Sequence, residues 1–119
     1  GYTPLERLWA RPTADVNGVA FSPDGSAIAV AHVNSPYVTA YPWSGSGFGT
    51  KFSNPGTLPP STGFGVAFSK SGTAVAVARG TSSPYIDVYP WSGSGFGSRF
   101  SNPGTAPNGV ANAVAFGVL

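Results

Sequence analysis

The stretch Tyr41-Pro-Trp-Ser-Gly-Ser-Gly-Phe-Gly49 recurs letter for letter as Tyr89-Pro-Trp-Ser-Gly-Ser-Gly-Phe-Gly97. Working outward, Thr50 and Lys51 give way to Ser98 and Arg99, after which Phe52-Ser-Asn-Pro-Gly-Thr57 returns as Phe100-Ser-Asn-Pro-Gly-Thr105. Upstream, Gly18-Val-Ala-Phe-Ser22 pairs with Gly65-Val-Ala-Phe-Ser69 at a spacing of 47 residues. The spacing becomes 48 within the loop that contains Pro36 and Pro84, where the second copy gains one residue, and a third copy opens at Ala113-Val-Ala-Phe116. A fixed period of this length marks a fold built by stacking one small supersecondary unit on the next. The chain divides accordingly into a leading segment at 1–15, a first repeat at 16–62, a second at 63–110 and the start of a truncated third at 111–119.

Each repeat reads as short strands separated by turns. Val16 to Ser22 alternates about Val19 and Phe21, and Pro23-Asp-Gly25 supplies a tight turn with glycine available for positive φ. Ala27 to Val33 follows, with Ala27, Ala29 and Ala31 on one face and Ile28, Val30 and His32 on the other. Neither face is strongly polar, so the sheet is expected to be covered on both sides. Tyr37 to Trp43 puts Tyr37, Thr39, Tyr41 and Trp43 on one face, Ser44-Gly-Ser-Gly47 turns the chain, and Phe48 to Phe52 is a shorter fourth strand closed by Asn54-Pro-Gly56. Pro and Gly interrupt every run long enough to be a helix. Four short antiparallel strands per repeat, apolar on both faces, predict an all-β fold of β-propeller blades. Two blades are complete. Leu5-Glu-Arg-Leu-Trp-Ala-Arg-Pro12 aligns with Phe48 to Pro55 and predicts a diverged outer strand and linker within 1–15, while 111–119 predicts the first strand of the third repeat.

The stretch Val19-Ala-Phe-Ser-Pro-Asp-Gly-Ser-Ala-Ile-Ala-Val30 resembles the first hairpin of a WD-repeat blade, a hydrophobic strand, Ser-Pro-Asp-Gly and a second hydrophobic strand. Tyr41-Pro42 stands where that family often has Trp-Asp, and its Gly-His dipeptide is missing, so the family's His and Asp hydrogen-bond network is not implied. The combined pattern Gly-Val-Ala-Phe-Ser, Ser-Pro-Tyr, Tyr-Pro-Trp-Ser and Gly-Phe-Gly-Thr-Lys-Phe is similar to long WD-repeat-like arrays of uncharacterised bacteriophage and marine bacterial proteins. That resemblance covers about residues 16 to 119. It implies a structural or protein-interaction propeller, of the kind found on a virion or cell surface.

Composition narrows the chemistry. Ten of 119 residues are charged, against about a quarter in an ordinary domain, while sixteen aromatic residues supply apolar area for a core. Without cysteine, and with His32 as the single histidine, no thiolate site or histidine-based triad exists within one copy, and neither metal nor cofactor is implied. The net charge of +2 comes from scattered cations, not the clustered stripe that nucleic acid requires. No apolar run approaches the roughly 20 residues of a membrane helix, and no targeting signal marks a compartment. Glu6, Asp15, Asp24 and Asp87 are the only acids and fall at unrelated repeat positions, so no catalytic pair is expected and the chain reads as a non-enzyme. Gly45-Ser-Gly-Phe-Gly49 lacks the following helix of a phosphate cradle and reads as a strand connection.

Aromatic residues repeated by blade are the functional lead. Tyr37, Trp43 and Lys51 return as Tyr85, Trp91 and Arg99, and these six are the candidate ligand-binding residues. A glycan is the ligand class that such aromatic and basic groups fit, one site per blade. Packing between blades is the competing reading of every aromatic position. Two blades cannot close a ring, since propellers use about four to eight. Identical chains in a head-to-tail homo-oligomer are therefore the expected partners: three chains would give six blades, favoured over two chains with a composite fifth blade. A longer single-chain array is the third arrangement.

Overall fold

The computed structural model describes residues 16–117, so the outer strand expected at 5–12 lies outside the described residues. Six antiparallel strands form two three-stranded sheets. The first holds β1 (Val16–Phe21), β2 (Ala27–His32) and β3 (Val38–Pro42) in that order, and the second repeats it with β4 (Gly63–Phe68), β5 (Ala74–Arg79) and β6 (Ile86–Pro90). Each sheet is a meander whose register follows the repeat: Val19 faces Val30 as Val66 faces Val77, and Ala29 faces Ala40 as Ala76 faces Val88.

Local chemistry sets the tight turn between the first two strands. Asp24 Oδ1 accepts bonds from the Ser22 hydroxyl (2.8 Å), the Ser26 amide (2.9 Å) and the Ser26 hydroxyl (2.7 Å), while Gly25 takes φ 76°. In the second repeat Ser71 replaces the aspartate and bonds Thr73 Oγ1 at 2.7 Å, with Gly72 again at φ 76°. The Ser26 amide and hydroxyl hold the Asp24 carboxyl below its ordinary 3.8. A folded value below the unfolded one gives a contribution present above the unfolded pKa and lost as pH falls through the folded one. Asp24→Ser, which installs the second repeat's turn, is expected to flatten the acid limb of the thermal unfolding midpoint between about pH 5 and pH 2. Equal acid slopes in variant and wild type would contradict this role.

The expected fourth strand is corrected by the structure. Residues 48–52 follow the outer edge of β3 as a strap, with a single Trp43–Phe48 bridge and amide bonds from Gly49 to Pro42 O (2.8 Å) and from Phe52 to Ala40 O (2.9 Å). Between those bonds β3 advances two residues and the strap three, the signature of a bulge. Pro42 has no N–H to return a bond, so a regular ladder cannot continue there. Residues 96–100 repeat the arrangement, with Gly97 bonded to Pro90 O (2.7 Å) and Phe100 to Val88 O (2.8 Å). The strand expected from residue 111 is also absent over 111–117, where the Ala111 amide bonds Arg79 O at 3.2 Å outside any ladder. Tyr37, expected within the third strand, instead ends the preceding turn at φ 70° and donates its amide to Asn34 O at 2.8 Å.

Each sheet has one face of small side chains and one of large. Gly18, Ala20, Ala27, Ala29, Ala31, Val38 and Ala40 share the small face of the first sheet, and Val66, Phe68, Val75, Val77 and Tyr89 share the large face of the second. These two faces meet in one buried core, which Trp91 completes and Phe52 and Phe96 flank. At the inner strands the backbones nearly touch, because a Cβ on Gly18 would stand 3.1 Å from Gly65 Cα. Further out the space holds rings, with Phe52 and Trp91 edge to face at 5.1 Å. Narrow inside and wide outside, the packing is a wedge, and stacked wedges turn about an axis as propeller blades do.

Candidate functional site

The six candidate residues do not converge on one site. Trp91 is 5% exposed, enclosed edge to face by Phe52 (5.1 Å), Phe68 (5.4 Å) and Phe96 (5.2 Å). Trp43 repeats two of these contacts, with Phe21 at 5.7 Å and Phe48 at 5.1 Å, and stays half-buried because no sheet among the described residues covers its face. Tyr37 and Tyr85 occupy matching turns at φ 70° and 69°, each preceded by a cis Ser–Pro bond. Lys51 is exposed and donates to Asn54 Oδ1 at 2.9 Å. Arg99 turns inward and donates to Asp87 Oδ1 at 3.2 Å. Packing thus claims Trp91 and an ion pair claims Arg99, whereas Tyr37, Trp43 and Tyr85 stay half-buried and Lys51 exposed.

The ion cluster is the feature that repeat-by-repeat reading missed. Arg79 and Asp87, 1% and 2% exposed, lie on the large face of the second sheet where it meets the first. Arg79 Nε donates to Asp87 Oδ2, and Nη2 reaches Oδ1 at 3.4 Å. Nη1 donates to the carbonyls of Thr81 (2.7 Å) and Ser82, clamping the loop that follows β5. Paired and hydrogen-bonded on this scale, a buried charge is tolerated. The first repeat has a neutral pair at the same positions, His32 Nε2 at 2.8 Å from Thr39 Oγ1. Desolvation pushes the His32 pKa down, against a smaller opposing bond to the Asn34 backbone, so the imidazole is neutral at pH 7. Arg79, Asp87 and Arg99 all depart together from His32, Thr39 and Lys51, and that joint departure was the available sequence signal. Tyr89, fully buried beside this cluster, has its phenol pKa raised by burial and by the Asp87 charge, and donates to Thr57 O at 2.6 Å.

A cleft of about 510 Å3 opens between the two strand-connecting turns, lined by residues that include Asp24, Ser26, Ser71, Thr73 and Trp91. Its hydroxyl groups are already engaged in the turns: Ser26 bonds Asp24 and Ser71 bonds Thr73. Among the described residues no three His, Asp or Glu side chains gather. The cleft therefore offers turn hydroxyls and the edge of Trp91.

No protein-family model matches the sequence, and no curated protein matches it. Among solved structures, U3-55K superposes with a TM-score of 0.55 at 18% identity, covering 80% of this chain and 29% of that one. The WD40 repeats of RRP9 superpose with a TM-score of 0.56 at 16% identity, covering 80% of this chain and 28% of that one. At such identities the likeness shows the fold alone. The chain spans less than a third of the length of these proteins, and its two sheets are WD40-like blade fragments.

Proposed function

We propose that this chain is a non-enzymatic structural or protein-interaction module, completed into a closed β-propeller by head-to-tail association of identical chains. The observation that carries the reading is the pair of unmatched sheet faces. The small face of the first sheet is buried by the large face of the second, while the first sheet's own large face leaves Val19 57%, Phe21 52% and Phe48 63% exposed. Apolar patches of this kind mark association surfaces, and ten charged residues in 119 give little surface charge to oppose contact. Three chains of two blades fit the usual blade number without a composite blade.

Sedimentation tests this. Wild-type protein is expected to show a mass that rises with concentration to a multiple of 12.0 kDa. A Phe21→Asp, Phe48→Asp double variant is expected to remain a monomer. A wild-type chain that stays monomeric at the highest attainable concentration would remove the reading. The carbohydrate-binding alternative keeps Trp43 as its accessible indole, and a glycan array in which Trp43→Ala changes nothing would remove it.

A further inference from the structure

We infer that the groove on the outer face of the second blade receives Tyr41 and Trp43 of a second copy of this chain, and that the incoming β1 takes the place held by residues 111–117. This rests on the self-assembly proposed above and adds which surface meets which. The groove, about 340 Å3, is lined by Ile86, Val88, Phe100, Ser101, Asn102 and Pro103. By the repeat, its counterpart on the first blade is Val38, Ala40 and Phe52 to Pro55. That counterpart is filled: Val38 and Ala40 share a core with Tyr89 and Trp91, Trp91 meets Phe52 at 5.1 Å, and Tyr89 bonds Thr57 O at 2.6 Å. The groove on the second blade is open, with Phe100 51% exposed. Tyr41 and Trp43, the equivalents of Tyr89 and Trp91, are half-buried on the first-blade face that no sheet among the described residues covers.

Shape fixes the direction. Large face on small face is the packing the chain already makes within itself, and no face is its own complement. The contact is therefore heterologous, and it closes into a ring when the rotation between blades divides the circle. Three internal contacts then have specific twins between copies: Phe100 of one against Trp43 of the next, Tyr41 hydroxyl to Thr105 carbonyl, and Phe21 beside Trp43 against the small face.

The inner end of the receiving face is already occupied. A Cβ on Gly65 would stand 3.0 Å from Ala113 Cα, matching the 3.1 Å from Gly18 to Gly65 Cα. Asn112-Ala-Val-Ala-Phe116 also matches Asn17-Gly-Val-Ala-Phe21 at all but one residue. Residues 111–117 thus hold the position that β1 holds in an intact blade, without a ladder partner. An incoming β1 arrives with β2 and β3 paired behind it and buries the rest of the face, so it displaces the lone segment.

Dissociation constants from sedimentation, measured on the full chain, test the map. Trp43→Ala and Phe100→Ala are each expected to weaken association about thirtyfold, as buried interface aromatics do. The double variant is expected to be little weaker than either single, because both remove one contact. Both side chains are accessible in the monomer, so its circular dichroism is expected to be unchanged. Hydrogen exchange on wild-type protein adds a second readout: raising concentration should protect the amides of 18–21 and leave those of 112–117 unprotected. Association that survives both variants, or single effects that add in full, would overturn the docking map while leaving self-assembly standing. Protection gained at 112–117 on assembly would overturn the displacement. A wild-type monomer would instead remove the assembly reading itself.

Discussion

Trp91→Ala is expected to cost about 3–5 kcal/mol of stability in dilute solution, and Trp43→Ala about 1 kcal/mol. The two tryptophans sit in identical nine-residue stretches, so local sequence gives no reason for a difference. Burial does. Trp91 touches Phe52 of the preceding blade as well as Phe68 and Phe96 of its own, and truncation leaves a cavity in the interblade core. Trp43 has the two contacts within its own blade and, among the described residues, no sheet across from it. Urea unfolding below the association range separates the two variants, and equal losses would contradict the assignment of Trp91 to the core. At concentrations where chains associate, the Trp43 variant should lose its advantage, since its ring is then buried too.

Arg79→Ala is expected to lose about 3–5 kcal/mol, because it leaves the Asp87 carboxylate buried with only Arg99 at 3.2 Å beside it. Asp87→Ala should cost a similar amount by stranding the guanidinium. Neither figure measures what the pair contributes, since replacing both charges with a neutral pair is often nearly neutral. The first repeat supplies that neutral pair in His32 and Thr39. The combined variant Arg79→His, Asp87→Thr is therefore expected to be more stable than Arg79→Ala, recovering over half of the loss. Chemical denaturation decides the matter: a combined variant as unstable as the sum of two single truncations would show that the site requires charge.

Much of the fold was legible because the repeat is exact at Tyr41–Gly49 and Tyr89–Gly97, and because the Ala27, Ala29, Ala31 alternation separates a small face from a large one. The strap at 48–52 was not legible as such. Its aromatic spacing suits a strand, and only the missing N–H of Pro42 and the bulge after Gly49 prevent one. The strand at 111–117 failed for a different reason: apolar alternation there is intact, but a ladder needs a partner. The buried ion cluster was hidden by the repeat itself. Comparison by position aligned Asp87 with Thr39 and left it a solitary acid, whereas its partners Arg79 and Arg99 lie eight residues before and twelve after it on neighbouring elements of the same blade. Tyr37 falls in the turn before the third strand, not on the face it was expected to share with Trp43, and sequence carries no measure of which blade face a neighbour covers.

We propose that the two blades of each chain are completed by other copies through faces of opposite shape. Electron microscopy of the purified assembly, combined with its mass, tests this most directly. Class averages with six blades about one axis and a mass of three 12.0 kDa chains are expected. A stable 12.0 kDa monomer, with Val19, Phe21 and Phe48 left in water, would contradict it.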